Sequence, residues 1–121
     1  MNILPSFILK KIYQKGSLML TPEGVSFRLK NILGPGIITG ISFIQINDEI
    51  YNSSMIKIIK SGCSTLAEQV SCENPLVFSL NEDITCVIQN CKAIREGLNK
   101  IIVELISDDV GRVSVALSDV L

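Results

Sequence analysis

The chain has no histidine and no tryptophan. Without histidine there is no Ser–His–Asp triad, no imidazole metal ligand and no proton shuttle that titrates near neutral pH. Without tryptophan the best ring for stacking on a sugar is missing, and tyrosine occurs only at Tyr13 and Tyr51. Alanine is scarce, at 3 residues, which weighs against a helical bundle. Charge is low as well: 11 basic and 12 acidic side chains leave a net −1, so no broad basic footprint for nucleic acid is expected. No window of about 18 apolar residues exists, and no membrane span is predicted. Lys10 and Lys11 follow the short apolar stretch at the N-terminus instead of preceding it. That order does not fit an export signal, and a cytoplasmic protein is expected.

What the chain has in excess is stiff apolar side chains. Isoleucine occurs 19 times and valine 9 times in 121 residues. Both are β-branched and suit a pleated surface. Apolar residues make up 47% before the 8 glycines are added. An average chain reaches only about 45–50% with glycine included. A single domain over residues 1–121 cannot hide that surplus in its own core, and another chain is the usual cover. The expected partners are therefore further copies in a homo-oligomer, or a different protein in a heteromeric complex, with no nucleic acid and no membrane.

Turn signals recur every ~8–12 residues, the spacing of an all-β sandwich or barrel. Residues 7–21 read as an extended segment, kinked near Gly16. Thr21-Pro22-Glu23-Gly24 is a tight turn into a strand over 25–30, with Val25, Phe27 and Leu29 inward and Ser26, Arg28 and Lys30 outward. Gly34-Pro35-Gly36 reverses the chain. A long strand over 37–46 loses its alternation, which calls for a bulge near Phe43 or burial on both faces. After Asn47-Asp48-Glu49, residues 50–59 read as one strand. Residues 61–75 look irregular, with one helical turn over 65–70 capped by Ser64. Short strands follow over 76–80 and 84–90, the second with Ile84, Cys86 and Ile88 on one face. The last hairpin is the clearest. Residues 100–107 run to the turn Asp108-Asp109-Val110-Gly111, and 112–118 return with Val113, Val115 and Leu117 inward. The expected architecture is an antiparallel β-sandwich of about eight strands, with a closed barrel as the alternative.

Candidate chemistry is thin. Of Cys63, Cys72, Cys86 and Cys91, only Cys86 and Cys91, with four residues between them, approach the C-x₂₋₄-C spacing of a structural zinc site; Cys63 and Cys72, with eight between them, do not supply the second tight pair. Cys86 alternates with isoleucines and reads as a small core residue. A reactive cysteine would lack a histidine to activate it. Gly34 to Gly40 is not a G-x-G-x-x-G turn opening a helix, so no phosphate cradle is read there. Asp108, Asp109 and Asp119 lack the ligand spacing of a calcium loop. Lys10, Lys11 and Lys15 form the only basic cluster, a solvated edge that discourages strand addition. Four residues stand as candidates for a ligand or interface site: Glu68 and Glu73 in the irregular segment, and the aromatics Tyr13 and Tyr51. No catalytic, cofactor-binding or metal-ligating residue is assigned, and no cofactor is expected.

The stretch Tyr13-x-x-Gly16-Ser17-Leu18, then Gly24-Val25-Ser26-Phe27-Arg28-Leu29-Lys30-Asn31, then Gly34-Pro35-Gly36-Ile37-Ile38-Thr39-Gly40 resembles an uncharacterised family of short archaeal and bacterial all-β proteins. Ala67-Glu68-Gln69-Val70-Ser71, Asn74-Pro75-Leu76, Gly97 and Gly111-Arg112 extend the likeness. More distantly the chain is similar to the small β subunit of C-glycoside deglycosidases. That likeness implies a role beside a separate, metal-dependent catalytic subunit, with no catalytic residue carried over. The functional expectation is a non-catalytic β-sandwich acting by association, as homo-oligomer or accessory subunit. Its alternatives are a small-ligand or carbohydrate-binding domain, and an enzyme whose site is completed at a subunit interface.

Overall fold

The computed structural model describes residues 10–34 and 36–121. Among these residues ten strands form two antiparallel sheets. The first sheet runs β1 (Met19–Leu20), β2 (Gly24–Lys30), β8 (Asp83–Gln89), β5 (Ile56–Lys60), β6 (Cys63–Leu66). The second runs β10 (Gly111–Val120), β9 (Leu98–Ser107), β3 (Gly36–Ile46), β4 (Glu49–Asn52), and β7 (Leu76–Phe78) also pairs with β3. The predicted sandwich is what forms, and neither sheet closes into a barrel.

The core is where alternating strands from both sheets meet. Val25, Phe27 and Leu29 of β2 face inward, as do Ile84, Cys86 and Ile88 of β8 and Ile56 and Ile58 of β5. From the second sheet come Ile38, Ile41, Ile44 and Ile46 of β3, with Ile101 and Val103 of β9. The inward residues of β3 step by three, three and then two. Register shifts between Ile38 and Gly40, and between Ile41 and Phe43, each add one residue, and this is what breaks the alternation. The bulge expected near Phe43 is therefore present, with a second one before it. On β2 only Ser26 departs from the expected pattern: it is buried although it alternates with the core residues.

Three readings need correction. Residues 50–59 are not one strand. Asn52 accepts a hydrogen bond from the Ser54 amide at 3.0 Å and starts a 3₁₀ turn over Ser53–Met55, so β4 stays in one sheet while β5 joins the other. Residues 61–75 are not wholly irregular. Ser61 and Gly62 both take positive φ, the geometry of a tight hairpin, and β6 returns along β5. The helical turn is a 3₁₀ turn over Ala67–Gln69, held by the Gln69 side chain on the Leu66 amide and not by Ser64. Together these two unread features raise the strand count from about eight to ten.

The N-terminal segment is extended only in part. Residues 7–9, at the start of the first run, and Pro35, at the centre of the Gly34–Gly36 bend, lie outside the described residues. Lys10–Ile12 form a 3₁₀ turn, Tyr13 bridges to Leu29, and β1 is two residues long. The predicted hairpin into β2 does form, with Thr21 and Gly24 exchanging backbone hydrogen bonds at 2.8 and 3.2 Å.

Candidate functional site: an open apolar groove

Residues Tyr13 to Leu18 tie the two sheets together at one corner. On one side the Gln14 amide donates to the Arg28 carbonyl, and the Ser17 hydroxyl accepts from the Arg28 amide, both at 3.0 Å. On the other side Asp119 of β10 takes three donors with one carboxylate oxygen: the Tyr13 hydroxyl at 2.6 Å, the Gly16 amide at 3.0 Å and the Leu18 amide at 3.4 Å. Asp119 is 3% exposed. Burial alone would raise its pKa, but the Tyr13 hydroxyl and the backbone amides of Val120, Gly16 and Leu18 outweigh it and hold the carboxyl below its usual value. Burial, and then the Asp119 hydrogen bond, push the Tyr13 phenol well above its usual value. This corner is a fixed structural clasp, with its charge fully engaged.

Beside the clasp the sandwich opens. A groove of about 290 Å³ runs between the corner and the second sheet. Ile12 and Leu29, Val103 and Leu105 of β9, and Val113, Val115 and Leu117 of β10 line it. The inward face predicted for β10 is therefore correct in direction but only half covered. Apart from Tyr13, whose hydroxyl is taken by Asp119, the only ionisable side chain lining the groove among the described residues is Asp109 at the β9–β10 turn. Such a lining binds apolar surface and offers no acid–base pair or nucleophile.

The four candidate residues are placed apart in role. Tyr13 and Tyr51 are both buried, at 6% exposure. Tyr13 lines the groove and holds Asp119. The Tyr51 hydroxyl accepts from the Ala93 amide at 3.1 Å, and its pKa is raised by burial and by the neighbouring Cys91. Neither ring is an exposed platform for a sugar. Glu68 and Glu73 are exposed, and neither joins an ion pair among the described residues.

A second polar cluster was not anticipated from the sequence. Asn99 is fully buried and joins Arg95, Gly97 and Asn47, while Asn47 in turn reaches Ala93 and Lys100. It fixes the loop before β9. Among the described residues no buried side-chain nitrogen or oxygen lacks a partner, so this network is self-contained and points at no ligand. No group of three or more Cys, Asp or Glu that could hold a metal occurs among the described residues. Cys63 and Cys72 are exposed, Cys91 is half-buried, and burial pushes the Cys86 thiol up to about 12. No helix among the described residues is long and apolar enough to cross a membrane.

Comparison with known families changes one expectation. No curated protein matches the chain. A family model, that of the hydroxymethylglutaryl-CoA reductase N-terminal domain, matches residues 8–121. That match replaces both the likeness to an uncharacterised family of short archaeal and bacterial all-β proteins and the more distant one to the C-glycoside deglycosidase β subunit. The residues behind the earlier likeness are turn and core positions here, such as Gly16 and Gly111 at positive φ and the buried Phe27 and Leu29. A β-sandwich with these bends needs such residues in any family, so they do not discriminate between families. The match spans nearly the whole length, and the chain belongs to the hydroxymethylglutaryl-CoA reductase N-terminal domain family.

Proposed function

We propose that the chain is a non-catalytic, associating domain of a hydroxymethylglutaryl-CoA reductase-type enzyme, one that docks against another protein chain and leaves the reduction to it. The observation that carries this reading is the groove beside β10: an apolar, half-covered face at a sheet edge, with no acid–base pair in its lining. Apolar surface of this kind on a small domain marks a contact site. The family match supports the choice of enzyme class. The apolar surplus of the sequence supports the same reading. The domain would work in the cytoplasm, where reducing conditions keep its four cysteines as free thiols.

The test has two parts. The isolated chain is assayed for reduction of hydroxymethylglutaryl-CoA, with no turnover expected. It is then mixed with a catalytic hydroxymethylglutaryl-CoA reductase chain from the same organism and followed by native mass spectrometry, with a stoichiometric complex expected. Turnover by the chain alone, or no complex with either that chain or itself, would overturn the reading.

A further inference from the structure

The strand edges of this sandwich are not alike. The first sheet ends in β1, with two residues, and β6, with four. The second sheet ends on one side in β4, with four residues, beside the three-residue β7. On its other side it ends in β10, with ten. Short edges are a common protection against strand addition, and so are proline, lysine and bulges. β10 is long and lacks these; its two charges are Arg112, 3.9 Å from Glu104, and the inward Asp119, which is already engaged by Tyr13, Gly16 and Leu18. The strand holds no proline and no lysine, and its ladder with β9 runs from Gly111 to Val120 without a register shift. Among the described residues nothing pairs with its outer edge.

Resting on the association reading, we propose that β10 pairs antiparallel with β10 of a second copy about a two-fold axis at Val115, joining the two second sheets into one and bringing the two grooves together. Three features choose this occupant and register. The first is the side-chain pattern. Opposed residues in an antiparallel ladder share a face. Centring on Val115 sets Val113 against the partner's Leu117, Val115 against its own copy and Leu117 against the partner's Val113, so the three central inward pairs are apolar and the inward Asp119 meets only the partner's Gly111. Centring on Ala116 would set Val113 against the partner's Asp119, whose carboxylate is already engaged by Tyr13. Centring on Ser114 would leave Leu117 facing the partner's Gly111.

The second feature is charge. The exposed turn residues Asp108 and Asp109 lie at the start of β10. At its other end Lys10, Lys15 and Lys100 gather around Ala116, Leu117 and Ser118. Arg112 also lies at the acidic end but stands 3.9 Å from Glu104, so antiparallel pairing lays an end of net acidic charge beside the partner's basic end, twice per dimer, whereas parallel pairing would oppose like ends. The lysines therefore select the direction of strand addition. The third feature is symmetry: an isologous contact uses one patch twice and closes at two copies, so the open edge is consumed and no filament follows.

The experiment combines mass and cross-linking. By native mass spectrometry and sedimentation, the chain is expected to be a dimer in the micromolar range. Val115→Lys sets two ammonium groups against each other on the axis and is expected to halve the mass with an unchanged far-ultraviolet circular dichroism spectrum. In a Cys63→Ser/Cys72→Ser background, Val115→Cys is expected to form a covalent dimer on mild oxidation, and Val113→Cys, far from its own copy, is not. The cysteine pair decides the matter if Val115→Lys fails to fold. A monomeric wild-type chain overturns the self-pairing, and so does a dimer indifferent to Val115→Lys or equal cross-linking at both positions. A chain that is monomeric alone but binds the reductase chain overturns the self-pairing and leaves the association reading standing.

Discussion

β2 and β10 are written in the same pattern and end in different surroundings. Both alternate apolar and small or polar residues, and both lie in unbroken antiparallel ladders, β2 with β8 and β10 with β9. Phe27 is fully buried and Leu29 nearly so, while Val113, Val115 and Leu117 are only half covered. The difference is position. β2 has a strand on each side and the second sheet across from it, whereas β10, among the described residues, has one neighbouring strand and a groove. Alternation sets which side of a strand is apolar, and the number of layers above that side sets how much it is buried.

The sharpest way to test that contrast is to truncate one side chain in each strand. Phe27→Ala empties a fully buried site and is expected to cost about 3–5 kcal/mol, enough to threaten the fold of a domain this size. Val115→Ala, measured at concentrations where the chain is monomeric, is expected to cost roughly 1 kcal/mol or less, because only part of its surface leaves water. Urea denaturation of the two variants measures both. Equal costs would mean that β10 is covered as well as β2.

A smaller effect is expected at the clasp, which fastens the open strand to the closed corner. Asp119→Ala leaves the Tyr13 hydroxyl and the Gly16 and Leu18 amides without their acceptor, and a loss of about 1.5–3 kcal/mol is expected for a bond to a charged group. The same contact predicts a pH dependence. Asp119 has its pKa lowered in the fold, so the folded state binds its proton less readily than the unfolded chain. Its contribution is complete above the ordinary carboxylate value of about 3.9 and is lost as the pH falls through the depressed folded value. Denaturation midpoints measured from pH 6 downward should fall for the wild type and fall less for Asp119→Asn. Parallel curves would show that Asp119 does not set the acid sensitivity.

Much of the frame was legible because alternation and turn residues act locally. The hairpin of β9 and β10, the inward faces of β2 and β8, and the bulge in β3 all follow from residues within one strand. What was not legible depends on distant partners. The crossing from β4 to β5 is made by Asn52 capping a three-residue turn inside an otherwise plausible strand. β6 exists because Ser61 and Gly62 form a turn and β5 offers an edge, while its own residues, Cys63 to Leu66, carry no strong strand signal. At the site, Val113, Val115 and Leu117 were read as inward, but the groove beside them arises only where the Tyr13 corner meets the second sheet. Asp119 was read only with Asp108 and Asp109, as acids without the spacing of a calcium loop, and its role needs Tyr13, 106 positions away. Family membership was misread for the same reason that the fold was readable: turn glycines and core apolars report architecture and are shared widely.

The smallest expected effect separates edge from core most cleanly. Val115→Thr keeps β-branching and shape, and so keeps strand propensity, while replacing a methyl with a hydroxyl. At a half-covered edge that hydroxyl stays within reach of water, so the monomer should lose no more than about 0.5 kcal/mol. In β2 the matched change Val25→Thr places the hydroxyl at a site with 0% exposure, where no water reaches it, and the cost should be about 1–3 kcal/mol. If β10 pairs with a second copy, Val115→Thr gains a penalty that grows with protein concentration, because the hydroxyl then meets its own copy on the axis. Thermal midpoints of the variant and wild type across a dilution series measure this directly. A gap that is the same at every dilution would mean that Val115 faces water in solution and that the strand edge stays open.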